Sequence, residues 1–279
     1  MKSIGEALRD VLGSIQTAEP FVWRCKACGE AREPGRASDG APRDVCADCW
    51  ERTTADLLAD LERRPDAYIA TGLRTLGLRD RERDARFDRV TAALASGIRK
   101  RAPGALEELL DGRTPRSGFG LSAPAGAGKT LAIAAIIGRA MLARWRREVP
   151  EHGARAFGNF KASWVRWPEL SSSWRGRAVE DRNGVDREVV RLRESELLIL
   201  DDLGAERMAA GYESDWTASL LDLVIDGRQA LRRPTLYTTN LDVGGLVSRY
   251  GSRFVSRLVS DSPLVVAPNL PDRRLVASS

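Results

Sequence analysis

The sequence has no apolar run approaching the roughly eighteen residues that a membrane-crossing helix needs. Its amino terminus, Met1-Lys2-Ser3-Ile4-Gly5, lacks the hydrophobic stretch of a secretory signal. A spanning or exported protein is therefore set aside, and a cytoplasmic location with no membrane partner is expected. Cysteine is scarce, with four in 279 residues and all of them in the first fifty, so no disulfide can brace the rest of the chain. No internal repeat is visible, which sets aside solenoids. Lysine is sparse beside arginine. The net charge of +5 and pI near 9.3 mildly favour a polyanionic partner and say nothing about fold. The length suffices for one or two domains with a proper core.

The cysteines are informative in their spacing. They form Cys25-x-x-Cys28 and Cys46-x-x-Cys49, with seventeen residues between the pairs. Each pair puts two thiolates on one tight turn, and two such turns can close a tetrahedral four-sulfur site around Zn²⁺. Two disulfides are disfavoured in a reducing cytoplasm, a redox pair would leave the second pair unexplained, and an iron–sulfur cluster is the residual alternative. The loop from Gly29 to Asp44 is rich in Gly, Pro, Ala and charge. It cannot supply a core, so metal binding has to contribute much of this module's folding free energy. Four thiolates leave no open position, so the site is expected to be structural.

The run Ala123-Pro124-Ala125-Gly126-Ala127-Gly128-Lys129-Thr130 has the chemistry of a phosphate-binding (Walker A) loop. Glycines let backbone N–H groups turn toward phosphate oxygens, Lys129 reaches the β and γ phosphates, and Thr130 can ligate Mg²⁺. The loop should follow a strand, here Gly118–Leu121, and open a helix, here the Ala/Ile-rich run from Leu131 to Met141. Pro124 to Leu131 are thus the expected nucleotide-binding residues. One departure is Ala123, where the usual pattern has its first glycine.

Around this loop the chain reads as alternating strands and helices. A helix from Trp50 to about Arg64 ends at Pro65, and Arg99-Lys100-Arg101 reads as a solvated helix end. Trp164 to Trp167 reads as a strand ending at Pro168, followed by a polar segment from Ser171 to Asn183 and a helix from Val185 to Glu194. Glu196 to Asp202 has the composition of a buried parallel strand, Trp216 to Leu231 of a helix, and Pro234 to Asn240 of another strand. This order implies an α/β fold with a parallel sheet and a ligand site at the carboxyl ends of its strands. The expected domains are 1–62 for the zinc module, 63–112 as a linker, and 113–279 for the nucleotide-binding domain.

The strand ending in Asp201-Asp202 suits a Walker B motif, with Asp201 holding Mg²⁺ and Asp202 polarising the attacking water. A glutamate is commoner at the second position. Asn240 closes the next strand, where it can orient water or the γ-phosphate. Arg253 and Arg257 lie four apart on one helical face, and either could complete a neighbouring subunit's site as an arginine finger.

The order Walker A, Asp201-Asp202-Leu203-Gly204-Ala205-Glu206, Thr238-Thr239-Asn240 and Ser256-Arg257-Leu258 resembles the AAA+ ATPases of the DnaC/DnaI helicase-loader family, with the transposition helper IstB as a relative. The resemblance covers about Tyr68 to the carboxyl terminus. It implies an ATP-dependent homo-oligomer with Arg257 as the finger and Arg274 as the second phosphate-sensing arginine, with Arg253 and Arg273 able to exchange those roles. No helical lid is expected after them. An amino-terminal zinc module resembles the DnaI type and implies a replicative DNA helicase as partner, with single-stranded DNA as substrate of loading. The alternatives are an IstB-like transposition helper on duplex DNA and a nucleotide-binding adaptor that does not hydrolyse.

Between Arg139 and Arg177 cations alternate with aromatics, the combination that binds single strands. Phe157, Phe160, Lys161, Trp174, Arg175 and Arg177 are the expected exposed contacts.

Overall fold

The computed structural model describes residues 23–32, 45–83, 85, 87, 90, 92–177, 180–206 and 213–267. The chain divides into two units, one of residues 1–62 with 148–155, the other of residues 63–147 with 156–279.

In the first unit, strands β1 (Trp23–Arg24) and β2 (Ala31–Arg32) pair antiparallel around the turn that carries Cys25 and Cys28. Helix α1 (Ala47–Arg63) begins one residue after Cys46, so Cys49 lies on its first turn. The helix starts three residues earlier than expected. Pro65 ends it as expected, and also opens α2 (Pro65–Thr75), since a proline lacks an N–H that the first helical turn does not use.

In the second unit, α2, α3 (Asp80–Arg83), α4 (Ala92–Arg101) and α5 (Ala105–Leu110) precede the sheet. Arg99, Lys100 and Arg101 form the exposed last turn of α4, the solvated helix end read from the sequence. Strand β3 (Phe119–Ser122) leads through the glycine-rich loop into α6 (Lys129–His152). Then follow β4 (Ala162–Arg166), α7 (Trp167–Arg177), α8 (Arg182–Glu194), β5 (Leu197–Leu203), α9 (Glu213–Ala230), β6 (Thr235–Thr239), α10 (Val243–Tyr250), α11 (Ser252–Asp261) and β7 (Leu264–Val266).

The five long-range strands form one parallel sheet in the order β4-β5-β6-β3-β7. Burial separates the interior from the edge. Strands β3 and β6 are buried at every position, whereas edge strand β4 alternates buried and half-buried residues. Two helices are capped at their amino ends by a side-chain acceptor. Asp181 accepts from Gly184 N at 2.9 Å at the start of α8, and Asp242 from Gly245 N at 2.8 Å at the start of α10.

Two sequence expectations change here. Trp167 is not the end of a strand but the start of α7, because Pro168 suits a first helical turn and cannot donate to a sheet. The polar stretch from Ser171 is mostly helix, running to Arg177 with α8 resuming at Arg182.

One buried charge holds the sheet to its helices. Arg228 of α9 is almost fully buried. It donates to Leu192 O at 2.7 Å, Ser195 O at 2.8 Å and Thr235 Oγ1 at 3.0 Å, and also to Pro234 O. It thus satisfies carbonyls left open at the end of α8 and just before β6. Burial, and then the neighbouring Arg233, pull its pKa down to about 9.

Candidate functional site

The strand order brings four chain segments to the same sheet end. The glycine-rich loop follows β3, Arg166 ends β4, Asp201 and Asp202 lie near the end of β5, and Asn240 follows β6. Between them lies a cleft of about 440 Å³ whose lining includes Gly126, Gly128, Lys129, Thr130, Asp202 and Asn240.

The loop takes the shape its sequence suggests. Gly126 and Gly128 have φ of 74° and 86°, a region that side-chain-bearing residues avoid. Ala123 is not in that region, so alanine stands there without backbone strain. Lys129 is buried, and its Nζ donates to Ala123 O at 2.8 Å, Pro124 O at 2.9 Å and Asn240 Oδ1 at 2.6 Å. The ammonium thus lies between the loop and the residue expected to sense the terminal phosphate. Ala125 and Leu131 line the same cleft, while Ala127 is buried behind it.

Asp201 is fully buried. Its Oδ1 accepts from Thr130 Oγ1 at 2.8 Å and from Thr238 Oγ1 at 2.7 Å. Its Oδ2 has no hydrogen-bond partner, and Arg166 Nη1 stands 3.6 Å from it. Burial pushes the carboxyl's pKa above the usual range and the charge of Asp202 adds to this, against the two threonine bonds and Arg166. A buried carboxylate with an orphaned oxygen beside a threonine hydroxyl is a donor set that suits Mg²⁺, which would remove the cost of that burial.

Asp202 departs from regular strand geometry. Its φ is +59°, and the β5–β6 register shifts between Leu200 and Leu203. An aspartate tolerates this conformation better than most residues. The irregularity lets two successive acids serve one site, Asp201 under the loop and Asp202 on the cleft wall. Asp202 N donates to Thr238 Oγ1 at 2.8 Å, which fixes the distorted backbone.

Three residues of this neighbourhood were given no role at the site from the sequence. Arg166 and Glu82 line the cleft and bond to each other. Glu206 accepts from Gly204 N at 3.0 Å, Arg249 Nε at 2.8 Å and Tyr250 Oη at 2.6 Å, tying the segment after β5 to α10. Burial and then the Glu206 charge push the Tyr250 hydroxyl pKa upward. Charged residues on a basic, arginine-rich chain carry no distinguishing signal by themselves. For Arg166, only its place at the end of a strand could have marked it.

Other expected residues lie elsewhere. Arg257 is held by Asp222 and Asp226 of α9, at 3.1 Å each, and Arg253 of the same helix is exposed. Arg273 and Arg274 lie outside the described residues.

The expected nucleic-acid contacts do not form one exposed surface. Trp174 is fully buried, edge-on to Trp167 with ring centroids 5.8 Å apart, and its Nε1 donates to Glu188 at 2.8 Å. It is a core residue and cannot stack on a base. Arg177 is half-buried and shares Glu188 with it at 2.5 Å. Phe157 stacks on Tyr68 at 5.3 Å and meets Trp145 edge-on, so its ring belongs to packing. Phe160 is half-buried beneath Arg144, while Lys161 is exposed and Arg175 half-buried.

In the first unit the four cysteine sulfurs lie within 4.8 Å of one another. Cys46 N donates to Cys25 Sγ at 3.3 Å. That bond, with smaller ones from Cys28 and Ala27 and against burial, pulls the Cys25 pKa down to about 6. A shared hydrogen bond with Cys46, and then burial, push Cys49 up to about 12. A cluster of thiols competing for protons, with one already favouring thiolate, fits Zn²⁺ through all four sulfurs.

The parallel sheet, its strand order and the glycine-rich loop between β3 and α6 define an α/β domain of the P-loop architecture, preceded in the chain by a four-cysteine unit. Among solved structures, a crystal structure of the DnaC helicase loader is similar over 67% of this chain and 99% of that one, with 19% identity and a TM-score of 0.49. A crystal structure of DnaI is similar over 70% of this chain and 94% of that one, with 20% identity and a TM-score of 0.49. No protein-family profile and no curated protein matches the sequence. At such identities a likeness concerns the fold, and function has to be argued from the residues of this chain. Among the described residues no helix is long and apolar enough to cross a membrane.

Proposed function

We propose that the chain is an ATP-dependent loader of a replicative DNA helicase onto single-stranded DNA. The observation that carries the nucleotide part is the convergence of Lys129, Thr130, Asp201, Asp202 and Asn240 at one end of the sheet. The amides of Pro124 to Leu131 cradle the phosphates and Lys129 binds their β and γ oxygens. Thr130 and Asp201 would hold Mg²⁺, which when bound neutralises charge on those phosphates. Asn240 orients the attacking water and Asp202 accepts its proton. The water oxygen bonds to the γ-phosphorus, the bond to the bridging oxygen breaks, and ADP leaves with that oxygen.

Assembly into a homo-oligomer would complete the site with a finger from the next subunit. Arg253 is the more exposed choice, and Arg257 would first have to leave Asp222 and Asp226. The zinc unit is assigned to helicase binding, by its resemblance to DnaI-type proteins. Single-stranded DNA binding is supported by the chain's basic character, with Lys161 and Arg175 the remaining expected contacts.

Phosphate release lost in Lys129→Ala supports hydrolysis. Release from the wild-type chain that Lys129→Ala leaves unchanged refutes the assignment. The presence of Asp202 where a glutamate is usual favours one rival, a non-hydrolysing adaptor, and nucleotide binding with no phosphate release at all would decide for it. Preference for duplex over single-stranded oligonucleotide would favour transposition. Capture of a replicative helicase that depends on residues 1–62 would support the loader.

A further inference from the structure

We infer that Arg166 is a terminal-phosphate contact supplied by the same chain that binds the nucleotide, with Glu82 as the residue that positions it. This rests on the cleft being an ATP site.

Arg166 ends β4, and its register partner is Asp201 of β5. Its side chain is 11% exposed and that of Glu82 is 3% exposed, yet both line the cleft. A pair so shielded is a poor stabilising device, since packed apolar residues of similar volume usually do as well or better. Stability therefore does not account for it.

Its geometry suits an anion. Arg166 Nη2 donates to Glu82 Oε2, and that same oxygen accepts Arg79 N at 3.0 Å, which fixes the carboxylate to the start of α3. The guanidinium is thereby held in one direction. Its other arm, Nη1, stands 3.6 Å from Asp201 Oδ2, too far for a hydrogen bond. The planar fork thus keeps a donor beside the expected metal ligand, ready for a phosphate oxygen.

Position selects which phosphate. The nucleotide's phosphates start at the loop after β3, and the sheet order runs outward from β3 through β6 and β5 to β4. Arg166 therefore lies beyond Asp201 and Asp202, on the side away from the loop. It meets the terminal phosphate and not the inner two. There it offsets negative charge on the γ oxygens as the bond to the bridging oxygen breaks.

The test uses the full chain with Arg166→Met and Glu82→Gln combined, so that neither charge is left buried alone, and separately Arg166→Lys. Affinities for ADP and for a non-hydrolysable ATP analogue are measured beside kcat. For the double variant, ADP affinity should stay within about twofold of wild type, the ATP analogue should weaken about tenfold, and kcat should fall about a hundredfold. Arg166→Lys keeps a cation beside Glu82 and so keeps the fold. It should leave ADP binding unchanged and lower kcat about tenfold, because a point charge replaces the fork. Equal loss for both nucleotides, or an unchanged kcat in a folded variant, would overturn the inference and assign the pair to packing. A wild-type chain that binds neither nucleotide would instead overturn the ATP-site reading, and this inference with it.

Discussion

Replacing Asp201 by asparagine should separate stability from nucleotide binding. Asparagine can keep its oxygen where Oδ1 accepts from Thr130 and Thr238, so both hydrogen bonds persist. What disappears is a fully buried acid whose second oxygen has no hydrogen-bond partner. The folded-state pKa is raised, chiefly by burial. The sign follows: the acid favours the fold most below its unfolded pKa, and stability is lost as pH rises through the folded value. Above its unfolded pKa the buried acid is therefore a net cost. Leaving a buried polar atom unsatisfied costs about 1–3 kcal/mol. The new amide N–H, facing Arg166, returns part of it, so a net gain of about 1 kcal/mol is expected for the ligand-free protein. In the same variant the proposed Mg²⁺ ligand is gone. A ligand at about one hundred times its Kd stabilises by about 2.7 kcal/mol, and most of this should vanish. Urea titrations with and without Mg²⁺ and a non-hydrolysable ATP analogue check both halves. Asp201→Asn that is less stable than wild type without ligand, or equally stabilised with it, would refute the reasoning.

Arg228→Met should destabilise by about 3–5 kcal/mol, since it strands the carbonyls of Leu192, Ser195 and Pro234 inside the protein; the urea midpoint reports it. Trp174→Ala should cost about 3–5 kcal/mol through the cavity it leaves. At temperatures where it remains folded its oligonucleotide affinity should match wild type, and a specific loss would return the residue to the DNA surface. Cys46→Ser should lose bound zinc by elemental analysis and unfold the cysteine unit, while ATP hydrolysis by the second unit persists.

Where local structure is written in adjacent residues, the backbone follows the sequence. The loop from Ala123 to Thr130 is local chemistry: glycine where φ is positive, lysine and threonine at a helix start. The two Cys-x-x-Cys turns are equally local. The buried strands were legible because parallel strands covered on both faces are continuous in apolar residues, as Leu197 to Leu200 are. That pattern, followed by paired acids, was enough to place Asp201 and Asp202 beside the loop.

The aromatic segment was misread for a related reason. Tryptophan has both a large apolar body and a polar N–H, so Trp174 fits a base-stacking surface or a core equally well on composition. Its burial follows only from the packing of α7 against the sheet and from Glu188, fourteen residues on, accepting its N–H. Glu82 and Arg166 are eighty-four residues apart, and no local pattern joins charges at that distance.

By itself, then, the sequence determined the phosphate loop, the four-sulfur cluster and the alternation of strands and helices, because each depends on backbone freedom, donor type or hydrophobic period within a few residues. Tertiary structure alone decided which tryptophans are core, that one oxygen of Asp201 is left without a hydrogen-bond partner, and that an arginine from an edge strand faces the cleft beside the glycine-rich loop. Those outcomes depend on strand order and burial, which bring together side chains from segments that carry no record of one another.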